Sequence, residues 1–124
     1  MSQAAEVAMQ SPDRRSARAR SHLQMIRSVV HSDRTMAEIL GVSASQVSRW
    51  RVGQRPDREN ADRLAGLALV VEMLLRWLER EIIEEWLTGA NAHLDGATPA
   101  YHIQQGQLAE VVGALEAMKA GVFA

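Results

Sequence analysis

From about residue 22 onward, apolar positions recur at the three- and four-residue spacing of helices. A first helix is expected from about His22 to His31. Met25, Ile26, Val29 and Val30 make its apolar face, and Ser32-Asp33 break it. A second opens at Thr35, where "TMAE" has the form of a capping box, with Glu38 in the reciprocal position. Met36, Ala37, Ile39 and Leu40 are its buried side. Gly41 ends it, because only glycine takes a left-handed conformation without strain. A third opens at Ser43 with a second box, "SASQ". Val47 and Trp50 share a buried face on it, while Ala44, Ser45, Ser48 and Arg49 point elsewhere. "VGQRPDRE" ends it, with Gly53 as terminator and Pro56 as the stop.

The fourth helix runs from about Asp57 or Asn60 to about Trp77 or beyond. Leu64, Leu67, Val71, Leu74 and Leu78 form a heptad-like seam, and Leu69, Val70, Met73 and Trp77 lie opposite. A helix apolar on both sides must be covered on both, and another copy or a partner is the expected second cover. A fifth stretch, about Glu79 to Leu87, carries Ile82, Ile83, Trp86 and Leu87. The turn-rich "TGANAHLDGA" follows. Thr98-Pro99 start a short helix that Gly106 ends. The last helix, about Gln107 to Lys119, has the stripe Leu108, Val111, Val112, Leu115 and Met118.

Composition narrows this to an all-α protein. One Phe and one Tyr stand among 124 residues that are 47% hydrophobic and rich in Ala and Leu. With no cysteine, disulfides and thiolate metal sites are excluded, and a cytoplasmic location is expected. No apolar run of signal-peptide or membrane-span length occurs, so no membrane partner is expected. The net charge of −1 conceals an asymmetry. Residues 1–58 hold 10 Arg against 5 acids, and residues 59–124 hold 3 Arg and 1 Lys against 10 acids. The basic half suits a phosphate backbone and the acidic half suits a protein. Residues 1–20 show little periodicity, and Arg14, Arg15, Arg18 and Arg20 cluster there. They are expected to be a disordered, solvated tail, the alternative being an arm that lies on DNA.

Two short helices joined through "LGVS", with Val47 and Trp50 buried on the second, are expected to form a helix-turn-helix within residues 21–56. The glycine swings the second helix across the first, and the apolar pair locks it so that its start projects into a major groove. Ser45 and Arg49 lie one turn apart on the exposed face, suited to base edges. Ser43, Gln46, Arg51 and Arg55 are placed for phosphate oxygens, and Ala44 and Ser48 complete the candidate DNA surface. The bland alternative is a well-capped helical hairpin that touches no DNA.

These residues carry a family resemblance. "TMAEILGVSASQVSRWRVGQRP" resembles the DNA-binding part of Xre-like, phage-repressor-type regulators. Residues 86–124, "WLTGANAHLDGATPAYHIQQGQLAEVVGALEAMKAGVFA", resemble the toxin-binding domain of Xre/MbcA/ParS-type antitoxins. The matching features are Trp86-Leu87, Leu94-Asp95-Gly96, Thr98-Pro99, Gly106 and the final amphipathic helix. The chain departs from the pattern at His102-Ile103, where Leu-Leu is common, and at Gln107, where Glu is common. The resemblance implies an antitoxin whose partner is a RES-domain toxin that consumes NAD. It also implies that the antitoxin covers the toxin's active-site entrance and represses its own operon at an operator in double-stranded DNA. Toxin contacts are then expected within residues 57–124, at Trp86, Tyr101, His102, Met118, Lys119, Val122, Phe123 and Ala124. Phe123 either plugs a pocket on the toxin or folds back onto its own core.

Nothing in the sequence assembles a catalytic site. No two of His22, His31, His93 and His102 are three or four residues apart, and there is no P-loop or dinucleotide glycine pattern. Glu79, Glu81, Glu84 and Glu85 read as a solvated charge run. The expectation is a non-enzyme without a cofactor, dimeric or in a larger hetero-oligomer with its toxin, since one recognition helix reads few base pairs alone. The alternatives are a stand-alone helix-turn-helix regulator with a C-terminal dimerisation half, and a protein-interaction module silent toward DNA.

Overall fold

The computed structural model describes the backbone of residues 3–122 and the side chains of residues 14–121. Among the described residues every regular element is helical, as composition required. Helix α1 (Gln3–Arg27) is the longest. It starts well before residue 22, so over residues 14–20 the expected disordered tail is corrected to helix. The reason lies in small residues. Ser16 and Ala19 are buried and continue the Leu23–Ile26 stripe at spacings of three, four and three, but serine and alanine do not register as an apolar pattern. Ser16 Oγ also donates to the Gly53 carbonyl at 3.0 Å. At its other end α1 stops at Arg27, before His31, and Val29 and Val30 are buried in the turn that follows.

Helix α2 (Asp33–Leu40) is capped one turn earlier than "TMAE" suggests. Ser32 is the cap, and its Oγ accepts from the Thr35 amide at 3.0 Å. The expected Thr35–Glu38 box does not form, and Glu38 instead pairs with Arg34 at 3.7 Å. Gly41 ends the helix with φ 73°, and Val42 N–H reaches back to the Ala37 carbonyl at 3.0 Å. Helix α3 (Ala44–Arg51) begins as expected: Ser43 Oγ accepts from the Gln46 amide at 3.1 Å. Helix α4 (Arg58–Leu74) is capped by Asp57, which accepts from the Asn60 amide at 2.8 Å, and it ends short of Trp77.

A 3-10 turn over Arg80–Ile82 leads into α5 (Ile83–Thr88), and a second over Ala92–Leu94 precedes α6 (Pro99–Gln104). Thr98 caps α6 by accepting from the Tyr101 amide at 3.0 Å, with Pro99 in the first turn. Helix α7 (Leu108–Val122) closes the described chain.

One continuous core crosses the expected boundary between residues 56 and 57. It joins Leu23, Ile26, Met36, Ile39 and Trp50 to Leu64, Leu67, Leu74, Ile103 and Leu115. Helix α4 is central to it, with α1, α2, α6 and α7 packed around it. The two-sided apolar character of α4 is therefore met largely within the chain. The longer α1 supplies cover that the sequence pattern assigned to another copy or a partner, and Leu69 is left 45% exposed. Polar ties cross the same boundary. Gln104 Nε2 donates to the Glu38 carbonyl at 2.6 Å, and the His31 amide donates to Glu84 Oε1 at 2.9 Å. Glu84 is thus half-buried and bonded rather than part of a purely solvated charge run.

Candidate functional site

Helix α3 is positioned from three directions. Val47 and Trp50 are buried to within 1% and fix its inner face. Gly41 permits the sharp entry, and Gln104 closes over that turn: a Cβ built at Gly41 would lie 3.1 Å from Gln104 Cγ. Asp33, at the start of α2, takes ion pairs from both Arg27 at the end of α1 and Arg51 at the end of α3. At roughly two-fifths exposure each such pair is worth at most about 1 kcal/mol, so its effect is to hold orientation more than stability.

This placement sorts the candidate DNA residues. Ser43, Ala44, Ser45, Ser48 and Arg49 are exposed, and Gln46 is half-buried. Ser45 and Arg49 share an outward face one turn apart. Arg55 is exposed in the loop beyond α3. Arg51 differs from the expectation, because helical winding carries it to the α2 side, where Asp33 occupies its guanidinium. A phosphate there would have to displace that carboxylate.

The other candidate residues spread over α5, α6 and α7. Trp86 and Met118 are half-buried and packed on the core. Tyr101 is 50% exposed, edge-on to the His102 ring at 5.3 Å between centroids. His102 Nδ1 lies 2.6 Å from Gln107 Oε1 across the Gly106 turn, so the two positions that depart from the family pattern are partnered with each other. Lys119 Nζ sits 5.0 Å over the Trp77 ring and 3.3 Å from Glu116. Val122 is described in backbone only, and Phe123 and Ala124 lie outside the described residues, as does the question of where the Phe123 ring goes. Among the described residues no His, Asp or Glu cluster is arranged to hold a metal, and no helix is long and apolar enough to cross a membrane.

No family model matches the chain. Relatives do. The chain is 34% identical over 89 residues to the mycobacterial cidal antitoxin MbcA of Mycobacterium tuberculosis and of Mycobacterium bovis, an alignment spanning 71% of this chain and 79% of the relative. It belongs to the MbcA antitoxin family. The fold agrees. A chain of the crystal structure of the M. tuberculosis MbcT–MbcA toxin–antitoxin complex superposes with a TM-score of 0.72 at 28% identity, covering 86% of this chain and 96% of that one. Membership of the MbcA family agrees with the antitoxin resemblance read from residues 86–124. It also places the chain among antitoxins, which are not enzymes, in keeping with the non-enzyme expectation.

Sequence reasoning saw Arg15 and Arg18 only as part of a charge cluster and missed the group they form with His22 across one cleft. Arg15, Arg18 and His22 line a cleft against Arg58 and Asp62 at the start of α4. The signal was present as i, i+3, i+7 spacing, but it carries meaning only once residues 14–22 are taken as helix.

Proposed function

We propose that this chain is the antitoxin of a toxin–antitoxin pair: it binds and blocks a RES-domain, NAD-consuming toxin and represses its own operon by binding operator DNA. The observation that carries the reading is the kinship with MbcA, together with the structural match to a toxin–antitoxin complex. The RES-type partner follows from the resemblance of residues 86–124. The toxin is assigned to the half that bears α5, α6 and α7. Among the described residues of α5, α6 and α7 Tyr101 is the exposed aromatic, a residue type enriched at interface anchors. The operator is assigned to α3 through Ser45 and Arg49, with Ser43, Gln46 and Arg55 toward phosphates. Paired half-sites call for two copies, either as a homodimer or brought together by the toxin. The cytoplasm is the expected setting for both partners.

Binding to the promoter fragment upstream of the gene tests the DNA half. Arg49→Ala should lose about 1–3 kcal/mol of discrimination between the operator and a scrambled duplex, with little change in non-specific binding. Fluorescence anisotropy across a salt series reads both quantities. Discrimination unaltered by Arg49→Ala would remove α3 as the reading helix.

A further inference from the structure

The cleft of about 410 Å³ between α1 and α4 is lined by Arg15, Arg18 and His22 on one side and by Arg58 and Asp62 on the other. Positions 15, 18 and 22 share one face of α1, and Arg58 opens α4. Among the described residues Arg27, Arg34, Arg51 and Arg63 each have a carboxylate partner. Arg15, Arg18 and Arg58 have none. Asp62 is one turn from Arg58 yet makes no ion pair with it, and Asp57 is committed to capping α4 through Asn60. Three guanidiniums therefore line one cleft against a single carboxylate, Asp62, and none of them is ion-paired, which leaves the cleft with an excess of positive charge.

His22 reports the local field. Burial holds its pKa below the usual 6.5, the Arg18 charge pushes it further down, and Glu72 on α4 opposes both. A histidine held neutral near pH 7 adds a hydrogen-bonding group to the cleft and no further positive charge. The planar fork of arginine matches phosphate oxygens, and several forks around one concave space suit a single tetrahedral anion.

We propose that this α1–α4 cleft is a phosphate-binding site, formed by Arg15, Arg18 and Arg58 and distinct from the outward face of α3. Its position suggests where a phosphate would come from. Pro56, in the loop that follows α3, also lines the cleft, and Ser16 on α1 bonds to Gly53 in that loop. A duplex seated on α3 would continue toward this loop and could place a backbone phosphodiester here. A free phosphate compound presents the same chemistry. Only the first source rests on the DNA reading above.

The test uses the full chain and Arg18→Gln/Arg58→Gln, two exposed positions whose replacement should leave the circular dichroism spectrum unchanged. The His22 ring is followed by NMR through a pH titration, alone, with inorganic phosphate, and with a scrambled DNA duplex. Bound phosphate should raise the His22 midpoint by offsetting Arg18, and the double variant should weaken that response roughly tenfold or more. In the duplex arm the slope of log K against log salt should fall by about 2, near 0.9 for each phosphate no longer neutralised. A reduced slope assigns the phosphate to DNA. A His22 response to inorganic phosphate with an unchanged slope assigns it to a free compound, and a chain that answers to inorganic phosphate while ignoring DNA keeps the site but loses the operator reading. A His22 midpoint indifferent to both probes, with an unchanged slope, overturns the proposal.

Discussion

Trp50→Ala is expected to cost about 3–5 kcal/mol of folding stability, the range for deleting a large, fully buried aromatic side chain. A domain of this size commonly has only about 5–15 kcal/mol in total, so the variant should be largely unfolded or close to it. Trp50 is 1% exposed and belongs to the same core as Leu64, Ile103 and Leu115. Its loss is therefore predicted to remove DNA binding and toxin binding together, although the residue lies on α3. Trp50→Phe separates volume from polarity. The indole Nε1 is buried with no acceptor among the described residues, so phenylalanine gives up packing volume but no hydrogen bond. That variant should stay folded and lose clearly less than Trp50→Ala, on the order of 1–2 kcal/mol, because only part of the ring volume is removed. Urea denaturation followed by circular dichroism measures both, and equal losses for the two variants would contradict the buried position of the ring.

Removing residues 119–124 should have the opposite signature: loss of toxin neutralisation with fold and operator binding intact. The packing supports the separation. Among the described side chains of α7 the last fully buried one is Leu115, and Met118 is only partly buried against the core. The cut takes away the Lys119 charge above Trp77 and its pair with Glu116, interactions at a half-exposed surface worth roughly 1 kcal/mol or less each. Loss of these two contacts should lower stability by that order. Neutralisation should fall far further, because these residues carry half of the proposed toxin surface. Growth of cells co-expressing the toxin with full-length or shortened chain gives the readout, and anisotropy on the promoter fragment is the control. Full protection by the shortened chain would move the toxin site off the end of α7.

Much of the fold was legible because its signals are local. The Ser43 cap, the Gly41 terminator, the Thr98-Pro99 start and the buried Val47–Trp50 pair each follow from one or two residues whose chemistry admits few conformations. What escaped depended on distant partners. Ser16 and Ala19 are too small and mild to mark a helix face, so the start of α1 became visible only where α4 and the Gly53 loop pack against it. Ser32 and Thr35 both satisfy the same local capping rule, and the helix takes Ser32, whose hydroxyl accepts from the Thr35 amide. Arg51 looked as available to phosphate as Arg49 or Arg55 until Asp33 proved to stand beside it. The division at residue 56 was drawn from charge and motif, whereas hydrophobic burial runs across it. Surface chemistry can separate into a basic end and an acidic end while one core serves both.

In the proposed function the face of α3 and the α6–α7 end address different partners from one shared core. Amide hydrogen exchange on the chain, alone and mixed with the toxin encoded beside it, tests this most directly. The expected result is a stable complex in which α6 and α7, from Tyr101 through Val122, gain protection while residues 43–51 exchange as before. Protection centred on α3, or no complex at all, would contradict it.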